Sequence, residues 1–140
     1  MFEFFNLKKK PHRPKILVID DEPNIVQTLQ DRLEMNDYLV ITAGNGKEGL
    51  EKALAEKPNV VLLDVIMPVM DGHEMLERLR SSDDGKDIPV IMLTARSQTQ
   101  DIARAHNAGI EDYVVKPFDL SELLEKIERI LEGKHITSGV

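Results

Sequence analysis

Short β-branched runs alternate strictly with helix-length amphipathic segments from Lys15 to Leu131, and that alternation restricts the chain to very few folds. Strands are predicted at Lys15 to Asp20, Tyr38 to Ala43, Asn59 to Asp64, Pro89 to Thr94 and Asp112 to Val115. The runs ILVI, VVLL and VIML in the first, third and fourth are apolar throughout, as expected of central strands with helices over both faces of a parallel sheet. Between them lie apolar stripes at helical spacing: Ile25, Val26, Leu29 and Leu33; Leu50, Ala53 and Leu54; Met75, Leu76 and Leu79. Ile102, Ala105 and Ala108 make a weaker fourth, and the run from Leu120 to Leu131 is the longest. Asn45 with Glu48, Asp71 with Glu74 and Asp119 with Glu122 have the spacing of helix caps, and Gly133 is predicted to end the last helix. Strand and helix in strict alternation imply a doubly wound α/β domain with a five-stranded parallel sheet.

At 140 residues the chain accommodates one domain of ordinary size. We read residues 15–132 as that domain, 1–14 as an N-terminal extension and 133–140 as a C-terminal tail. No cysteine is present, so disulfides, thiolate metal sites and cysteine nucleophiles are excluded, and a cytoplasmic location is the expectation. The net charge of −7 is uneven: residues 1–14 carry +3 and the remainder −10. An acidic body repels the phosphates of nucleic acid, so direct nucleic-acid binding is not expected. The extension places Phe2, Phe4, Phe5 and Leu7 before Lys8, Lys9 and Lys10. A flexible tail or a segment that packs on a partner is favoured there over an amphipathic membrane anchor, whose hold would be weak at this length.

In a doubly wound sheet, ligands sit beyond the carboxyl ends of the central strands. The predicted strand ends carry Asp20 and Asp21, then Asp64, then Thr94, with Lys116 just past the fifth strand. Three carboxylates converging on one crevice repel strongly without a cation. Magnesium suits an all-oxygen ligand set, and with the Lys116 ammonium it balances the three aspartates. A carboxylate held there can attack phosphorus, while the cations stabilise the transferring group.

These features together resemble the bacterial response-regulator receiver family, chemotaxis-regulator-like, over about residues 15–132. The resemblance is carried by Asp20-Asp21, the segment D-V-I-M-P-V-M-D-G from Asp64 to Gly72, Thr94-Ala95, Tyr113 and Lys116-Pro117. It implies a flavodoxin-like sheet of order 2-1-3-4-5 and a signalling switch with self-directed phosphoryl transfer instead of an enzyme acting on external substrates. By this resemblance Asp64 is the phosphoacceptor, and Asp21, Asp64 and the Ile66 carbonyl ligate magnesium directly, with Asp20 acting through a water. Thr94 and Tyr113 form the switch, and Lys116, aimed by a cis bond before Pro117, bridges to the phosphoryl group. The implied partners are a sensor histidine kinase or phosphotransfer protein and a downstream target on the face of the fourth helix, fifth strand and fifth helix. Ile66 and Arg96 would flank the path of the attacking water. Neither side chain can orient that water, so slow self-dephosphorylation is expected.

Each residue also has a plainer reading taken singly: Asp20 and Asp21 as caps of the first helix, Thr94 as structural, Lys116 as a solvated charge, and Met67 and Met70 as packing. The histidines at 12, 73, 106 and 135 lack metal-ligand spacing. Two other functions compete. Gly44, Gly46 and Gly49 spell the G-x-G-x-x-G of a dinucleotide-binding turn, twenty residues before Asp64. That turn belongs on a central first strand, whereas here it follows the second, an edge strand in the expected order. Haloacid-dehalogenase-like phosphatases also form aspartyl-phosphates, but with a D-x-D motif that Ile66 interrupts.

Overall fold

The structure is a computed structural model, and it describes residues 13–95 and 100–139, with side chains through residue 133. Five strands, β1 (Lys15–Ile19), β2 (Leu39–Ala43), β3 (Val60–Asp64), β4 (Val90–Ala95) and β5 (Asp112–Lys116), form one parallel sheet of order β2-β1-β3-β4-β5. Among the described residues, five helices connect or follow them: α1 (Pro23–Met35), α2 (Gly46–Glu56), α3 (Gly72–Arg80), α4 (Ile102–Ala108) and α5 (Leu120–Gly139). The expected doubly wound fold and strand order are therefore present.

Successive strand residues point to opposite faces, so each apolar run feeds two cores. Leu17, Ile19, Val61, Leu63, Val90 and Met92 pack with Ala53 of α2, Met75, Leu76 and Leu79 of α3 and Ala105 of α4. Ile16, Val18, Val60, Leu62, Ile91 and Leu93 pack with Leu29 and Leu33 of α1 and Leu123 and Ile127 of α5. At roughly 1.5–3 kcal/mol for each large apolar side chain removed from water, these two layers dominate the stability of the domain. They also hold the carboxyl ends of β1, β3, β4 and β5 along one rigid edge.

Capping follows the sequence at two of three helices and shifts at the third. Asn45 and Asp71 accept from the backbone N–H of Glu48 and Glu74, at 2.8 and 2.9 Å. Asp119 instead accepts from Ser121 N–H at 2.9 Å. The predicted stop at Gly133 is not there. α5 continues to Gly139, so the stretch read as a tail is helical up to that residue. A glycine ends a helix only by adopting a left-handed conformation, as Gly109 does after α4 with φ of 103°. Inside an exposed helix it costs about 1 kcal/mol relative to alanine, less than abandoning the hydrogen bonds that follow.

The anchor or tail reading of residues 1–14 falls almost wholly outside the described residues, as does Arg96. Among the described residues no helix is long and apolar enough to cross a membrane.

Candidate functional site

Each acidic residue reaches the carboxyl edge by a different local device. β1 ends at Ile19, one residue earlier than predicted, yet Asp20 N–H still donates to Ala43 O at 3.1 Å and keeps the residue in line with the sheet. One Asp20 oxygen accepts from Glu22 N–H at 2.9 Å, closing the turn into α1. The other lies 3.1 Å from Lys116 Nζ. Asp20 is only 1% exposed and shapes the turn ahead of α1 without capping it, because the N-cap position belongs to Glu22. Asp21, next to it, is exposed.

Asp64 is the last residue of β3, paired with Leu93 of β4, and is 6% exposed. The loop after it is tightly folded. Gly72 N–H donates to Val65 O at 2.7 Å and Met70 N–H to Pro68 O at 2.7 Å, with Val69 at φ of 71°. A Cβ on Gly72 would stand 2.3 Å from Asp64 O, so only glycine lets α3 begin this close to the phosphoacceptor candidate. Met67 and Met70 are buried in the core, as their packing reading required, while Ile66 (59% exposed) and Val69 (76% exposed) face outward.

Lys116 ends β5, and the bond from it to Pro117 is cis, as the resemblance to the receiver family implies. Its Nζ lies 3.2 Å from Asp64 Oδ1, 3.1 Å from Asp20 Oδ2 and 3.6 Å from Glu22 Oε1. Asp21, Glu22, Asp64, Ile66, Ala95 and Lys116 line a cavity of about 330 Å³. Thr94, fully buried, lies one residue beyond the strand partner of Asp64, and its hydroxyl donates to Ala95 O at 3.2 Å. Tyr113 sits further back on β5, half-buried, its ring edge-on to His106 of α4 at 6.2 Å between centroids. The structure therefore brings Asp20, Asp64 and Lys116 into contact, puts Asp21 and Thr94 beside them, and holds Tyr113 against α4.

One ammonium does not neutralise this many carboxylates. Burial, then the neighbouring charge of Asp20, push the Asp64 carboxyl up to about 6 against the pull of Lys116. Burial by itself would lower the Lys116 ammonium, but Asp64 and Asp20 outweigh it and hold its pKa above the ordinary lysine value. Asp20, Asp21 and Asp64 each offer an oxygen, all within 4.8 Å of one another. An all-oxygen cluster with excess negative charge fits a hard divalent cation such as magnesium, and the Ile66 residue that would add a carbonyl lines the same cavity.

Sequence reasoning missed Glu22. It occupies the N-cap position of α1 without a side-chain cap bond and turns its carboxylate toward Lys116. The signal was available, because a third acid follows Asp20-Asp21 directly, but only the fold shows where it points.

The glycine pattern has a packing explanation. Gly46 N–H donates to Met70 O at 3.1 Å, and a Cβ there would stand 2.3 Å from that oxygen. A Cβ on Gly49 would meet the Ile19 side chain at 2.5 Å. Both glycines are consumed in seating α2 against β1 and the β3–α3 loop, and β2 is an edge strand. The dinucleotide reading is not favoured.

The family model for the response regulator receiver domain matches residues 16–128. The DNA-binding dual master transcriptional regulator RpaA of Synechocystis is 40% identical over 118 residues, which is 84% of this chain and 49% of that protein. The alkaline phosphatase synthesis transcriptional regulatory protein PhoP of Bacillus subtilis is 41% identical over 124 residues, 89% of this chain and 51% of that protein. The chain thus spans about half the length of the curated relatives it matches. Among solved structures, a CheY-like receiver domain protein from Methanospirillum hungatei superposes with a TM-score of 0.83 at 31% identity, covering 89% of this chain and 98% of that one. The receiver domain of a sensor histidine kinase from Pseudomonas aeruginosa, described with magnesium coordinated in its active site cleft, gives 0.79 at 28% identity, covering 86% and 98%.

Proposed function

The chain belongs to the response regulator receiver domain family of two-component signalling, and from that premise we propose that Asp64 is its phosphoacceptor, charged by a histidine kinase or phosphotransfer protein. The observation that carries the reading is the contact of one half-buried lysine with two buried carboxylates at the carboxyl edge, with Asp21 close by. In the transfer, an Asp64 carboxylate oxygen forms a bond to phosphorus as the bond from phosphorus to the donor breaks, and the electron pair leaves with the donor. Lys116, already 3.2 Å from Asp64 Oδ1, is placed to pair with the phosphoryl oxygens. Asp20 orients Lys116 from the other side. Asp20, Asp21, Asp64 and the Ile66 carbonyl would hold magnesium, which when bound supplies charge stabilisation for the transferring group.

Thr94 and Tyr113 are the proposed switch. The Thr94 hydroxyl would exchange its bond to Ala95 O for a phosphoryl oxygen, and Tyr113 would leave His106 and follow inward. Among the helices α4 is the least held by the core, with Ala105 its one buried residue, so the α4–β5–α5 face is the expected output surface. Residues 15–140 carry −10, which opposes direct contact with nucleic acid, and we place the protein in the cytoplasm. The role is that of a signalling switch. Its test is intact mass after incubation with a phosphodonor and magnesium. The parent should gain one phosphoryl group and Asp64→Asn none; equal labelling of the two would reject the assignment.

A further inference from the structure

The charges at the site do not balance even with a divalent cation present. Lys116 meets Asp20, Asp64 and Glu22, and Asp21 lies within the same cluster, so four carboxylates face one ammonium. A divalent ion would leave one negative charge over. Glu22 differs from the other three in being outside the clustered metal-binding set and in being 61% exposed at its side chain. It also lines the same cavity as Asp64. Its position is not explained by helix capping, since its side chain makes no cap bond.

We propose that Glu22 is a specificity-determining residue, an electrostatic gate at the cavity mouth that disfavours small doubly charged phosphodonors relative to donors of lower net charge. The inference rests on Asp64 as phosphoacceptor. Glu22 and Asp64 both contact one nitrogen, at 3.6 and 3.2 Å, so their oxygens can be no more than about 7 Å apart. At about that separation in water, one unit charge acting on another changes a rate roughly threefold, and a dianion feels this twice.

The experiment compares the parent, Glu22→Gln and Glu22→Asp with two donors. Acetyl phosphate is a dianion and loses acetate with the electron pair of its P–O bond. Phosphoramidate is a zwitterion of net charge −1 and loses ammonia as its P–N bond breaks. In both, the new bond is from the Asp64 carboxylate to phosphorus. Initial rates are measured at saturating magnesium for each variant, at low and high salt. E22Q is expected to speed labelling by acetyl phosphate roughly tenfold and by phosphoramidate roughly threefold, with both effects shrinking at high salt. E22D keeps the charge and should stay within about twofold of the parent with either donor. An equal effect of E22Q on the two donors, no effect, or a slower rate would overturn the gate, because a purely structural role for Glu22 does not distinguish donors by charge. Asp64→Asn separates the two levels of the argument. Labelling that survives it overturns the phosphoacceptor reading and the gate together, whereas labelling that is lost in it but indifferent to E22Q overturns the gate alone.

Discussion

Asp64→Asn should stabilise the metal-free protein at neutral pH, and the size of the effect follows from the electrostatics of the site. Burial and Asp20 raise the Asp64 carboxyl from its ordinary 3.8 to about 6, so the folded state holds this proton more tightly than the unfolded chain does. Below about pH 4 the group is protonated in both states and contributes nothing. Between about pH 4 and 6 the unfolded state ionises without cost while the folded state resists, and stability falls. Above about pH 6 the penalty is complete, at about 3 kcal/mol for a rise of this size. Asparagine mimics the protonated carboxyl and cannot ionise, so about 3 kcal/mol is the ceiling of the benefit. Its NH2 must find an acceptor in a buried place, which leaves roughly 1–2 kcal/mol, or about 3–8 °C in Tm for a domain of this length. The assay is thermal and urea unfolding in EDTA at pH 4 and pH 7.5. The variant should exceed the parent at pH 7.5 and converge with it toward pH 4. An advantage of the same size at both values, or a variant less stable than the parent at pH 7.5, would refute the reasoning. Magnesium should stabilise the parent and narrow the gap, since ligand binding to the folded state adds to its stability.

Three further outcomes are expected. Gly46→Ala drives a methyl group into Met70 O, which is backbone and cannot step aside, so urea denaturation should show a loss of about 1–3 kcal/mol; a loss under about 0.5 would mean the α2 contact is not needed. Arg80→Met removes the guanidinium that donates to Gly109 O at 2.6 and 2.9 Å and to Gly85 O at 3.0 Å, and should cost about 2–4 kcal/mol in the same assay by leaving both carbonyls without this donor. Ile66→Asn combined with Arg96→Glu should shorten the lifetime of the aspartyl-phosphate about tenfold, a barrier change of only ~1.4 kcal/mol, measured as decay of labelled protein in excess magnesium after the donor is removed. Decay no faster than the parent's would show that these side chains do not set the lifetime.

The local part of this protein is written in its sequence. Apolar runs of four residues with helices between them admit a parallel sheet, a parallel sheet puts every strand's carboxyl end on one edge, and so Asp20, Asp64 and Thr94 are gathered before any coordinate is known. The Asn45 and Asp71 caps were legible for the same reason, because donor and acceptor are three residues apart. What the tertiary structure alone decided are the long-range matters. Lys116 meets Asp20 across 96 positions of chain, and whether Glu22 joins them depends on how α1 leaves the sheet. The glycines at 46 and 49 carry the same letters as a nucleotide-binding turn, and only the approach of Met70 and Ile19 distinguishes packing from ligand contact. Gly133 looks like a helix stop in sequence because the residue permits a left-handed turn, but permission is not a driving force, and the helix goes on where nothing ends it. The raised carboxyl of Asp64 is likewise a property of burial and of a neighbour 44 residues away. Sequence determines which groups can pair with their near neighbours, and the packed fold sets the distances and the dielectric that give distant groups their charge and their chemistry.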